Sequence, residues 1–92
     1  MNEKLILQTI AFMINNGARI IETGHATERM EERRINKRDI VEILLNPTYI
    51  SNERESNQYY GKNNYRVMGK HDWSVVVSIY YPEKLIIITV ID

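Results

Sequence analysis

Three features of the 92-residue sequence predict an α+β fold with N-terminal helices packed on a four-stranded antiparallel sheet. Capped segments with helical apolar spacing fill the first half, β-branched and aromatic residues dominate from Thr48 onward, and turn-forming clusters cut that second half into strands. No repeat, linker or low-complexity stretch interrupts the chain, so residues 1–92 read as a single domain: an apolar helix over 1–17, a helical segment over 18–47 and a sheet over 48–92.

The first helix starts from Asn2, whose short amide side chain suits an N-cap, and runs to about Asn15. Asn15-Asn16-Gly17 stops it, because glycine takes the left-handed backbone that follows a helix end at no steric cost. Leu5, Ile6, Leu7, Ile10, Phe12, Met13 and Ile14 exceed one stripe, which predicts deep burial or sharing with a partner chain, including a homodimer through this helix. Ala18 to Glu22 is read as extended. Thr23 caps a second helix that ends near Arg34, and Asn36 caps a third from Lys37. There Asp39 falls at the third helical position and Ile35 and Ile40 are spaced as a hydrophobic staple, until Asn46-Pro47 ends the helix. Ile40, Val41, Leu44 and Leu45 share one side, to be packed on the sheet.

Turn signals at Ser56-Asn57, Gly69-Lys70-His71-Asp72 and Pro82-Glu83-Lys84 separate four strands in an antiparallel meander. Trp73, Val75, Val77, Ile79 and Tyr81 alternate with Ser74, Val76, Ser78 and Tyr80, which puts the odd positions toward the core. The last strand, Leu85 to Ile91, is apolar on both faces and so belongs inside the sheet or under a cover.

Composition limits the chemistry. With 43% hydrophobic and 26% charged residues the chain is a folded domain rather than a disordered tail. Without cysteine there are no disulfides, thiolate zinc sites or cysteine nucleophiles, and with only two histidines no metal or other cofactor is expected. The apolar stretch from Leu5 to Ile14 is too short for a membrane span and lacks the cleavage pattern of a secretory signal, so the expected setting is cytoplasmic, away from membranes. Twelve basic and twelve acidic residues cancel, so any nucleic-acid contact must be local.

One stripe offers such a contact. His25, Arg29 and Arg33 recur every four residues, covering a strip on the order of 12 Å along one side of the second helix. Two guanidiniums and an imidazole suit a phosphate. From His25 to Arg38, five basic residues (Arg29, Arg33, Arg34, Lys37, Arg38) face three glutamates (Glu28, Glu31, Glu32), which can instead pair with the arginines at helical spacing.

The order His25, Ala26, Arg29, Met30, Arg33, then Ile35, a capped helix ending in Asn46-Pro47, the Tyr65-Arg66-Val67 strand and Thr89 in the closing strand resembles a bacterial and archaeal domain-of-unknown-function family. The resemblance spans about residues 20 to 91. That family is similar to the RelE and BrnT toxins, grouped with barnase, EndoU and the colicin nucleases as metal-independent ribonuclease folds. The resemblance therefore implies a RelE/barnase-like fold and a metal-independent ribonuclease or ribonuclease-like toxin domain, acting on RNA and held by a cognate antitoxin or other protein partner. Arg34 stands where the resemblance leads one to expect glycine.

RNA cleavage by a ribose 2′-hydroxyl needs a base for that proton, an acid for the leaving 5′-oxygen and cations for the developing charge. His25 is the candidate for proton transfer, with Arg29, Arg33 and Arg66 for the phosphate and Thr89 as a hydroxyl partner. Arg34, Lys37, Arg38 and Tyr81 are candidate RNA-binding residues, the tyrosine by stacking a base. The alternative is a non-catalytic nucleic-acid- or protein-binding module using the same stripe. A hollow that gathers these groups favours the enzyme, whereas arginines capped by carboxylates of their own chain favour docking.

Overall fold

A computed structural model describes residues 2–52 and 63–91; the turn expected at Ser56-Asn57 lies outside them. In chain order the elements are α1 (Glu3–Asn15), β1 (Arg19–Glu22), α2 (Gly24–Arg33), α3 (Lys37–Leu45), β2 (Tyr49–Asn52), β3 (Asn64–Met68), β4 (Ser74–Tyr80) and β5 (Lys84–Ile91), with a short 3-10 turn over Lys70–Asp72 between β3 and β4.

The caps are those the sequence predicts. The Asn2 side chain accepts from Leu5 N–H at 3.0 Å, and Thr23 Oγ1 accepts from Ala26 N–H at 3.0 Å. Asn36 and Asp39 form a reciprocal capping box, each side chain accepting the other's backbone N–H. Each bond serves a donor that a helix start leaves without an internal partner.

The sheet corrects the expectation of four antiparallel strands. Five strands run in the order β1-β5-β4-β3-β2, and β1 lies parallel to β5. The short extended segment before α2 is recruited because β5 is apolar on both faces and needs a neighbour on each side. Arg19 N–H donates to Glu83 O and Thr23 N–H to Ile87 O, both at 3.0 Å, which clamps the two ends of β1 to β5. The other pairs are antiparallel, so the meander from β2 to β5 stands as expected.

All three helices contribute to one core against the sheet: Ile10 and Met13 from α1, Ala26 and Met30 from α2, Ile40 and Leu44 from α3 meet Ile50, Val67, Val75, Val77, Leu85, Ile87 and Val90. α1 packs on α3 and β2, α3 on β3 and β4, and α2 along β5. Deep burial of α1 holds for one side only, since Leu5 and Phe12 are more than half exposed. The odd-position rule in β4 holds for Val75, Val77 and Ile79, while Tyr81 lies beyond the strand and is exposed. Ser74, Val76 and Ser78 on the other face are buried as well.

A bulge in β5 sets the geometry that matters for function. Val77 pairs with Ile87 but Val76 pairs with Thr89, leaving Ile88 as the extra residue. Leu85 and Ile87 before the bulge and Val90 after it all join the core. Thr89 is thereby turned to the face opposite the core, abreast of Val76 and Arg66.

Candidate functional site

The stripe is anchored at its first residue by the sheet. Thr23 Oγ1 donates to Ile88 O at 2.9 Å while accepting from Ala26 N–H, so one hydroxyl caps α2 and ties it beside the Ile88–Thr89 step of β5. His25 follows on the first turn of α2 and is exposed. Ala26 and Met30 are buried, which fixes the rotation of the helix and leaves Arg29 and Arg33 partly covered, their side chains 31% and 21% exposed.

Both guanidiniums meet one carboxylate. Nη1 of Arg29 lies 3.5 Å, and Nη1 of Arg33 3.6 Å, from Oε2 of Glu32, whose side chain is 57% exposed. These separations exceed the roughly 2.7–2.9 Å of a charge-assisted hydrogen bond, so the pairs are loose contacts in water. Nε of Arg29 is buried with no hydrogen-bond partner among the described residues, and so is Nε of Arg66. Arg66 makes no ion pair among them either.

Arg66 and Thr89 occupy one row across the sheet, separated by Val76. At about 4.8 Å per strand their Cα atoms lie roughly 10 Å apart. The Thr23 bonds bring the N-terminal end of α2 to the same level of β5. Ala26 and Met30 seat α2 on the core face of the sheet, whereas Arg66 and Thr89 leave the opposite face, so the structure keeps His25, Arg29 and Arg33 together on α2 and separates Arg66 and Thr89 from them.

Arg34 departs from the helix: it is the C-cap, in left-handed conformation with φ 56° and ψ 42°. Its side chain lines a groove of about 390 Å³ between the end of α2, α3 and the 3-10 turn, together with Arg33, Glu42, Lys70, His71 and Trp73. Lys37 and Arg38, exposed on the first turn of α3, are not part of that lining. Tyr81 stands apart. It follows the far end of β4 from Trp73, eight positions along at about 3.3 Å each, and its ring centroid lies 6.4 Å from that of Phe12 on α1.

Glu32, Lys70 and Trp73 take part in these arrangements although the sequence did not single them out as site residues. The Arg29–Glu32 spacing of i, i+3 carries a signal for the first. The groove has none, because it forms only when the turn after β3 docks on α3. Among the described residues no three His, Cys, Asp or Glu side chains are placed to hold a metal ion, and no helix is long and apolar enough to cross a membrane.

Residues 22–92 match a family described as a domain of unknown function (DUF4258). No curated protein and no solved structure matches the chain.

Proposed function

The chain belongs to the DUF4258 family, a domain of unknown function, and from that footing we propose that it binds RNA phosphate along α2 and cleaves the RNA by 2′-hydroxyl attack. The observation that carries this reading is the Nε donor of Arg29, buried on the stripe with no hydrogen-bond partner among the described residues. A buried donor left without an acceptor costs about 1–3 kcal/mol, so a guanidinium held this way is arranged for an acceptor that arrives from outside. A phosphate oxygen accepts from such donors with charge assistance.

In this reading Arg29 and Arg33 hold the phosphate and offset the charge that builds on its oxygens as the 2′-oxygen attacks phosphorus. His25 takes the proton from the 2′-hydroxyl and returns it to the departing 5′-oxygen, so that one imidazole carries both transfers. The products are a 2′,3′-cyclic phosphate and a free 5′-hydroxyl. Glu32 yields to the phosphate, because an exposed ion pair is worth about 0–1 kcal/mol against about 1.5–3 kcal/mol for a hydrogen bond to a charged group.

The convergence of both arginines on Glu32 favours a second reading, a non-catalytic docking stripe already accustomed to a carboxylate. Incubating the protein with tRNA, ribosome-bound mRNA and homopolymer RNA in EDTA, beside His25→Ala and Arg29→Ala, separates the two. Cyclic-phosphate ends that disappear in both variants support cleavage. RNA that is bound yet stays intact supports docking, and RNA neither bound nor cut removes both nucleic-acid readings. In cells, cleavage should arrest growth, and His25→Ala should relieve the arrest.

A further inference from the structure

We propose that the groove between the end of α2, α3 and the 3-10 turn is a nucleotide subsite: it holds one base of single-stranded RNA against Trp73 while Arg33, Arg34 and Lys70 take the adjacent phosphate. The inference rests on the RNA reading of the stripe, and Arg33 joins the two, being both the last stripe residue and part of the groove wall. A strand lying along α2 runs directly into the groove.

The lining matches a nucleotide in kind. Trp73, half-buried against the core, supplies an aromatic wall, and any base can stack on an indole. Arg34 and Lys70 are exposed and form no ion pair among the described residues, so both cations are available at the rim. The Asp39 carboxylate is engaged with Asn36 N–H in the capping box, whereas the Glu42 carboxylate has no partner there and can accept a base N–H. A volume of about 390 Å³ falls within the size range of small-ligand pockets.

Two of the segments that form the groove hold non-glycine residues in left-handed backbone: Arg34 at φ 56° on one side, His71 at φ 63° and Asp72 at φ 62° on the other. Glycine would sit there without the steric cost, so the side chains are kept at an energetic disadvantage to folding. Arg34 and His71 both line the groove. Placing a guanidinium and an imidazole at its lips is a use that offsets that cost.

Trp73 is the single tryptophan in the chain, so its emission reports the groove directly. The full chain is titrated with a short labelled oligouridylate whose 2′-positions are O-methylated, which blocks cleavage, and label anisotropy and tryptophan emission are followed together. The expected result is quenching of the indole with the same midpoint as the anisotropy change. Lys70→Glu should weaken both by about tenfold without altering the melting temperature. Trp73→Phe should remove the emission signal and weaken the anisotropy midpoint several-fold. Binding by anisotropy with unchanged emission, and an unaltered midpoint in Lys70→Glu, overturns the groove proposal and leaves the stripe reading standing. Absence of both signals overturns the two together. Quenching by an acidic peptide at lower concentration than by the oligonucleotide overturns the RNA assignment of the groove.

Discussion

At the scale of single residues, Glu32 decides how the stripe behaves. Its carboxylate lies near both Arg29 and Arg33, so an arriving phosphate must displace it. Glu32→Gln keeps the shape and removes the competing charge, and is expected to tighten RNA binding several-fold; Arg29→Ala is expected to weaken it by about 1.5–3 kcal/mol, roughly ten- to a hundredfold. Anisotropy of a labelled oligonucleotide reads both, and equal affinities in the two variants would deny that the pair guards an anion site. Arg34 separates stability from binding. In left-handed conformation at the end of α2 it occupies a place glycine fills without strain. Arg34→Gly is expected to gain about 1 kcal/mol, a rise in Tm of roughly 4–8 °C for a domain of this size, while losing affinity for the nucleotide. A fall in Tm would show that the arginine side chain contributes more to folding than its backbone costs.

At the scale of elements, what could be read in advance was what is local. Asn2, Thr23 and Asn36 bond within three residues of themselves, so their side chains announce helix starts wherever the chain later folds. Asn36→Ala removes one half of the α3 capping box and is expected to cost about 1 kcal/mol in chemical denaturation. What could not be read was decided by distant partners. Arg19–Glu22 is four residues long and becomes a strand only because Lys84–Ile87 offers an open edge. The bulge at Ile88 is silent in a run of consecutive β-branched residues, since no change of polarity marks it. The turn after β3 shows the same dependence. A Cβ at Gly69 would lie 2.8 Å from Cγ1 and 3.0 Å from Cγ2 of Ile43, close to the stem of a stiff side chain. Gly69→Ala is therefore expected to lose about 1–3 kcal/mol through overpacking, and, because Ile43 also lines the groove, to disturb the Trp73 emission of the folded protein. A neutral effect on melting would mean that α3 shifts freely from the turn.

At the scale of the whole molecule, the stripe was legible and the site only partly so. The four-residue spacing of His25, Arg29 and Arg33 fixed their alignment on α2, but their relation to Arg66 and Thr89 depends on the bulge and on the Thr23 bond to β5. Tyr81 was grouped with them by residue type and sits at the other end of β4, against Phe12. Net charge constrains how the assembled surface can bind. Twelve basic and twelve acidic residues give the protein no long-range attraction for a polyanion, so affinity must come from the few cations that touch phosphate. For a single strand the logarithm of affinity falls with the logarithm of salt by about 0.7 per phosphate neutralised, so one phosphate on the stripe and one at the groove give a slope of roughly −1.4. Between about 50 mM and 200 mM salt the affinity for a short oligonucleotide should then drop roughly sevenfold. Lys70→Glu should flatten the slope by about 0.7, because the groove phosphate is lost, whereas removing an uninvolved surface cation such as Lys4 should leave it unchanged. A slope near zero would exclude phosphate from the stripe. One steeper than about −3 would require more cations than the stripe and groove contain, and would place RNA across the basic first turn of α3 as well.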